Sequence, residues 1–202
     1  MRPTALAAVA ALAATLLTAC ATGTDRAPPA VAASTPLPPA EATAWRDRGA
    51  RTVQPFKQQL MGALQAALPA GADRAIETCR VEAPALAAAS GGPGVTVGRT
   101  SHRLRNPANA PRPWVAPLLG EFVADPGVAA PRAVALPTGG IGYVEPIVTQ
   151  PLCLACHGEA LAPAVRARLA AQYPADAATG FRTGDFRGVF WVEFAPEALA
   201  PP

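Results

Sequence analysis

Cys153-Leu154-Ala155-Cys156-His157, with Gly158 behind it, is the segment that most restricts this chain. Two thiols separated by two residues emerge from one turn, and the adjoining imidazole can swing to a metal beside them; this is the attachment sequence of a c-type haem. Cys153 and Cys156 would form the thioethers, and His157 would be the proximal ligand. Gly158 leaves the backbone room at the porphyrin edge. Three other chemistries use the same residues. A Cys153–Cys156 disulfide is the plainest. A thioredoxin-like dithiol wants the motif at a strand-to-helix turn of a βαβ unit, and none is visible. A zinc site would recruit Cys79 to make a Cys₃His set. Adjacent residues such as Cys156 and His157, however, do not readily place both donors on one tetrahedral ion. One covalent haem c is therefore the expected cofactor.

Covalent haem attachment belongs outside the cytoplasm, and the N-terminus reads as the matching address. Met1 and Arg2 precede an apolar run from Ala5 to Leu17, which ends in Leu17-Thr18-Ala19-Cys20. A run this short does not easily span about 30 Å of hydrocarbon; it has the regions of a cleaved secretory signal. Leu-Thr-Ala-Cys looks like a bacterial lipobox, so residues 1–19 are expected to be a lipoprotein signal peptide and Cys20 the lipidated residue. Acyl chains would then hold the protein at a membrane by burying methylenes, each worth about 0.8 kcal/mol. Ala21 and Thr22 do not resemble an inner-membrane retention signal, which points to the periplasmic side of the envelope, at the outer membrane. Residues 20–42, rich in Pro, Ala and Thr, read as a lipid-anchored extended tether. The folded domain is expected over 43–202.

Composition excludes several classes. Hydrophobic residues make up 50% of the 202, but the excess is largely alanine and aromatics are only 5%, so the pattern is not that of a polytopic membrane protein. A formal net charge of +3 fits neither a disordered chain nor a strongly basic nucleic-acid binder.

Within the domain, Val53, Phe56, Leu60, Leu64 and Ala67 or Leu68 follow a helical ladder, predicting a helix over 45–68 that is kinked or restarted near Pro55 and stops at Pro69. A second helix is expected from Ala72-Asp73, carrying Ile76, Cys79 and either Val81 or Ala83 on one side, and ending at the Ser90-Gly91-Gly92-Pro93-Gly94 run. Val95, Val97 and the residues beyond alternate as a strand that ends at Asn106-Pro107. A short helix from Arg112 or Pro113 to Phe122 follows. Ala133–Leu136 and Ile141–Val148 read as a hairpin, residues 163–173 as a helix, and Arg187–Phe194 as a strand rich in β-branched and aromatic residues. Helices followed by antiparallel strands make an α+β fold.

Cys79 is left over. An unpaired thiol outside the cytoplasm is an oxidation liability, so it asks for a role. Candidates for the sixth iron ligand are Cys79, His102, Met61 or a small molecule. Each residue also has a plain alternative: a buried thiol, a surface histidine, a core methionine.

The segments AIETC (75–79), TSHRLRNPANAP (100–111), the CLACHG loop and YPADAATGFRTGDFRGVFWV (173–192) together resemble the single-haem c-type domains with a PAS-like fold. That family occurs in secreted haem proteins and bacterial haem-sensor regions. The likeness spans most of residues 45–194. It implies a PAS-like antiparallel sheet with N-terminal helices packed around a covalently bound haem, and a cysteine from the N-terminal helical part as second axial ligand, which falls on Cys79. A thiolate ligand favours ferric iron, so a low potential is expected.

Arg103 and Arg105 are candidates for pairing with haem propionates, since guanidinium matches carboxylate in bidentate fashion. Tyr143 and Tyr173 are candidates for the pocket wall. Gly180, Gly184 and Gly188 read as turn chemistry before the last strand. The expected function is a redox or diatomic-gas (NO or CO) sensing or binding module; the alternative is a periplasmic low-potential electron-transfer cytochrome. With no kinase or receptor segment before Pro202, a signal is expected to pass to a redox or signalling protein partner. A peroxidase would need an open distal site with an acid/base residue, and His102 is the one spare histidine, so no enzyme activity is expected.

Overall fold

The computed structural model describes residues 33–199. The signal peptide, Cys20 and residues 20–32 of the tether lie outside the described residues. The rest of that tether is not free chain: Thr35–Pro36 forms a short strand β1 paired with Ala135 and Val134, and helix α1 already begins at Pro39. Proline serves as helix opener here because its missing N–H is unpaired at a helix start in any case.

Helix α1 runs unbroken over Pro39–Ala67, through Pro55. It is neither restarted nor ended there, because Val53, Phe56 and Leu60 are buried on the sheet, and that packing outweighs the one backbone hydrogen bond Pro55 cannot make. The second helical segment has three parts: α2 (Ala72–Glu77), a π-helical turn (Thr78–Glu82) and α3 (Ala83–Ala89). The cause sits at Pro84, which has no N–H for the carbonyl of Arg80 and whose ring would collide with it in a regular helix. The ladder slips by one residue, and Ala83 N–H donates to Thr78 O instead. Cys79 rides on this widened turn. Ala83 faces the core while Val81 is exposed.

Strand β2 (Val95–Thr100) is shorter than the expected strand to Asn106; after Thr100 the chain leaves the sheet. Helix α4 is Val115–Ala124, and β3 (Arg132–Ala135) and β4 (Ile141–Val148) form the expected antiparallel hairpin. The haem-motif segment makes a 3₁₀ turn (Pro151–Cys153) and a four-residue helix α5 (Leu154–His157). Helix α6 is Pro163–Gln172 and β5 is Phe186–Phe194. The five strands form one antiparallel sheet in the order β1-β3-β4-β5-β2, with the N-terminal helices on one face. This is the α+β arrangement the resemblance implied.

Helices α1 and α3 cover one face through Val53, Phe56, Leu60 and Ala83 against Val97, Tyr143, Val192 and Phe194. Helix α4 covers the other through Val115, Leu118 and Phe122 against Val144, Val189 and Trp191. A smaller cluster of Ile76, Val165, Leu169 and Tyr173 docks α6 on α2. No helix among the described residues is long and apolar enough to cross a membrane.

Close packing of α1 on the sheet depends on Gly49. A Cβ there would sit 2.6 Å from Tyr143 Cδ2. Gly49→Ala improves helix propensity, yet the overpacking dominates, and a net loss of about 1–3 kcal/mol is expected by urea unfolding.

Candidate functional site

One cavity of about 610 Å³ lies between α1, the π-turn and the α1-facing side of the sheet, and Cys79, Cys153, Cys156 and His157 all line it. That volume is in the range of cofactor pockets. Its apolar wall comes from Leu60, Met61 and Leu64 of α1, Ile76, and Ile147 and Phe190 of the sheet. Cys79, Cys153 and Cys156 are all free thiols, so no disulfide closes the motif. Among the described residues no three His, Cys, Asp or Glu side chains gather tightly enough to hold a metal ion by themselves. The Cys₃His zinc geometry is therefore not formed.

His157 is held for ligation. Its Nδ1–H donates to the carbonyl of Ala178 at 2.6 Å, which makes Nε2 the ring's unprotonated nitrogen, with Arg187 Nη2 3.5 Å from it. Burial, with the charges of Arg187 and Arg105 adding to it, keeps the imidazole pKa well below 6.5, so the ring is neutral. Burial also pushes the Cys156 thiol up, Arg105 pulls it back, and the nearby Cys79 adds to the rise.

The segment 176–181 clamps the motif from outside. Gly180 N–H donates to Gly158 O and Phe181 N–H to His157 O, forming a parallel bridge beside the motif. Asp176 pairs with Arg105 at 3.0 Å, and its other oxygen accepts from Ala178 N–H. This segment does more than turn the chain: Ala178 supplies the oxygen that orients His157. The sequence could not reveal it, because the contribution is a backbone carbonyl and any residue has one.

The expected site residues divide. Tyr173 and Met61 line the cavity with Cys79, Cys153, Cys156 and His157. Tyr143 does not; it is buried in the core under Gly49, its hydroxyl donating to Glu145. His102 lies outside the lining and stacks on Phe186, with centroids 5.9 Å apart, because the chain turns away after Thr100. Arg103 and Arg105 border the cavity, but their guanidinium groups are engaged elsewhere. Arg103 donates to the carbonyls of Ala177 and Thr179, and Arg105 to Asp176, Cys156 O and Ala178 O. They tie the clamp to the motif instead of reaching into the cavity.

Three basic residues not singled out from the sequence line the cavity: Lys57, which pairs with Glu145, and Arg99 and Arg187. Burial, reinforced by Arg99 and Arg105, lowers the Arg187 pKa to about 10, so it remains charged at neutral pH. Its Nη1 donates to Ser101 Oγ, and that hydroxyl donates to Arg187 O at 2.6 Å.

An antiparallel sheet backed by N-terminal helices, with a Cys-x-x-Cys-His turn opening on an electropositive cavity, defines a PAS-like cofactor-binding domain. The chain belongs to the Tll0287-like family, whose model matches residues 40–195. Among solved structures, the cyanobacterial heme-protein Tll0287 is similar, with 25% sequence identity, a TM-score of 0.55, and coverage of 81% of this chain and 100% of that one. No curated protein matches the chain.

Proposed function

We propose that this domain binds one haem c covalently through Cys153 and Cys156, with His157 and Cys79 as axial ligands, and that it responds to redox state or to a diatomic gas on the periplasmic face of a membrane to which Cys20 anchors it. The observation that carries the reading is the convergence on one cavity of both motif thiols, an imidazole with Nδ1–H engaged and Nε2 unprotonated, and a third thiol from a separate helix. The heme-protein Tll0287, similar in fold over most of this chain, supports it. The bound haem would supply an iron centre whose oxidation state or sixth ligand changes.

The chain's own residues set the terms of that chemistry. Ala178 O holds the His157 tautomer; the Leu60, Leu64, Ile76 and Phe190 wall offers an apolar face for a macrocycle; and the cationic residues would balance an anionic ligand. Cys79 also borders a second cavity of about 310 Å³, formed with Ala83, Ala87, Val97 and Trp191. A released Cys79 side chain has space to move there, which favours exchange at this position over a fixed electron-transfer centre. The change at the iron would be passed to a redox or signalling protein partner.

A pyridine haemochrome assay on protein made with haem-attachment machinery tests the central reading. One covalent haem per chain is expected, and none would end it. Cys79→Ala should then abolish the low-spin thiolate features of the absorption spectrum; an unchanged spectrum removes Cys79 from the iron and leaves Met61 as the side-chain candidate in the cavity. Rapid CO or NO binding to reduced protein supports sensing, whereas inertness with fast self-exchange assigns the protein to electron transfer.

A further inference from the structure

Five cationic side chains, Lys57, Arg99, Arg103, Arg105 and Arg187, line the main cavity, and no Asp or Glu does. Three are already engaged. Lys57 pairs with Glu145 and Arg105 with Asp176, while Arg103 is bound to the Ala177 and Thr179 carbonyls. Arg99 has no hydrogen-bond or ion-pair partner among the described residues. Arg187 has Ser101 and the ring of Phe181, whose centroid is 5.0 Å from its Cζ, and no carboxylate within ion-pair distance. Its Nη2 lies 3.3 Å from His157 Nδ1, a nitrogen that already donates its hydrogen to Ala178, and 3.5 Å from Nε2, a contact too long to be a strong hydrogen bond and one that gives the cation no counter-charge.

The backbone shows that Arg187 is aimed. In the β4–β5 ladder Ile147 faces Gly188 and Val148 faces Phe186, so Arg187 has no residue opposite it and forms a bulge. Counting by twos from Val189 and Trp191, whose side chains lie in the α4-facing core, Arg187 would point to that core. The extra residue turns it to the cavity instead, a use bulges have beside functional sites. Arg99 reaches the same cavity by ordinary alternation: it lies opposite Phe190, which lies opposite Glu145, in one row on the α1-facing side. For Arg187 a desolvated cation without a counter-charge is costly, and a carboxylate entering the cavity could pair with it and with Arg99 through N–H···O bonds.

We infer that Arg99 and Arg187, rather than Arg103 and Arg105, bind the propionate carboxylates of the haem. The inference rests on the haem reading above. By joining a propionate to the edge of the His157 ring, Arg187 also couples the charge state of that carboxylate to the proximal ligand.

The test uses the full chain matured with haem, in unaltered form and as Arg99→Gln, Arg187→Gln, Arg187→Lys and Arg103→Gln. Haem content is read by pyridine haemochrome and reduction potential by spectroelectrochemical titration between mildly acidic and alkaline pH. Losing a guanidinium from a propionate should lower the potential at neutral pH, since a positive charge that opposed the ferric state is gone. It should also raise the propionate pKa, so that the potential climbs again as the pH falls. Both Gln variants are expected to show this shift and new pH dependence, Arg187→Lys to restore most of it, and Arg103→Gln to lose stability without a new pH profile. A merely structural role for Arg187 would reduce haem content and leave the profile flat. Should Arg187→Gln fail to fold, Arg99→Gln, which removes no hydrogen bond of the fold, decides the matter by itself. Profiles unchanged in both Gln variants at full haem content overturn the inference while the haem reading stands. Absence of haem from the unaltered chain overturns both.

Discussion

Replacing both Cys153 and Cys156 by alanine is expected to take covalent haem from one per chain to none. The two thiols are half-buried and free, and neither closes a disulfide. Cys156 does no more for the core than touch the edge of the Ile76–Leu169 cluster, so alanine there opens little space and the fold should persist, as far-UV circular dichroism would report. His157 keeps its bond to Ala178 O and the cavity keeps its wall. The double variant should therefore still take up haem reversibly, and acidified acetone should extract all of it. From the unaltered chain the same treatment should extract none. Haem that resists extraction in the double variant would mean that the motif cysteines are not the attachment points.

Gly188→Ala carries the largest expected cost in stability. Gly188 is in the central strand β5, beside the Arg187 bulge, at φ +148. An added Cβ would lie inside the van der Waals radius of Thr100 O and 3.0 Å from Ser101 Cα, both backbone atoms of the paired strand and the turn that follows it. Neither can give way without opening the β2–β5 ladder. Strained φ alone costs about 1–3 kcal/mol, and the backbone collision adds overpacking of about 1–3 kcal/mol. Gly184 separates the two contributions: its φ is +92, yet nothing lies within 4 Å of an added Cβ. Gly184→Ala should lose about 1–2 kcal/mol in urea unfolding and Gly188→Ala at least twice as much. Equal losses would show that the collision with Thr100 contributes nothing. In the haem-loaded protein Gly188→Ala should also disturb the potential, because it displaces Arg187.

Local patterns carried most of the elements. The alternation in Phe186–Phe194, the turn residues between β3 and β4, and the ladder from Val53 to Leu60 depend on near neighbours in the chain, and they read correctly. The failures have physical causes of longer range. Pro55 argued for a helix kinked or restarted there, but with the sheet beneath Val53 and Phe56 α1 continues through it without a break. Thr35–Pro36 resembled tether because a two-residue strand has no periodicity; only its partner β3 makes it one.

The same division runs through the site. Cys-x-x-Cys-His is legible as a string because its chemistry needs only that three side chains leave a single turn together. Cys79 could be named as the odd thiol, but that it faces the motif across one cavity follows from the π-turn at Pro84 and the docking of α2 on α6. Arg103 and Arg105 stood out beside the loop, yet Ala177, Thr179 and Asp176 claim them. Arg187 looked like the start of a strand. A single unmatched residue in the ladder, invisible until β4 and β5 are paired, turns its charge from the core to the cavity. Spacing along the chain sets which groups can act together within a turn; register between strands sets which distant groups meet them, and pairing energies spread over many residues establish that register.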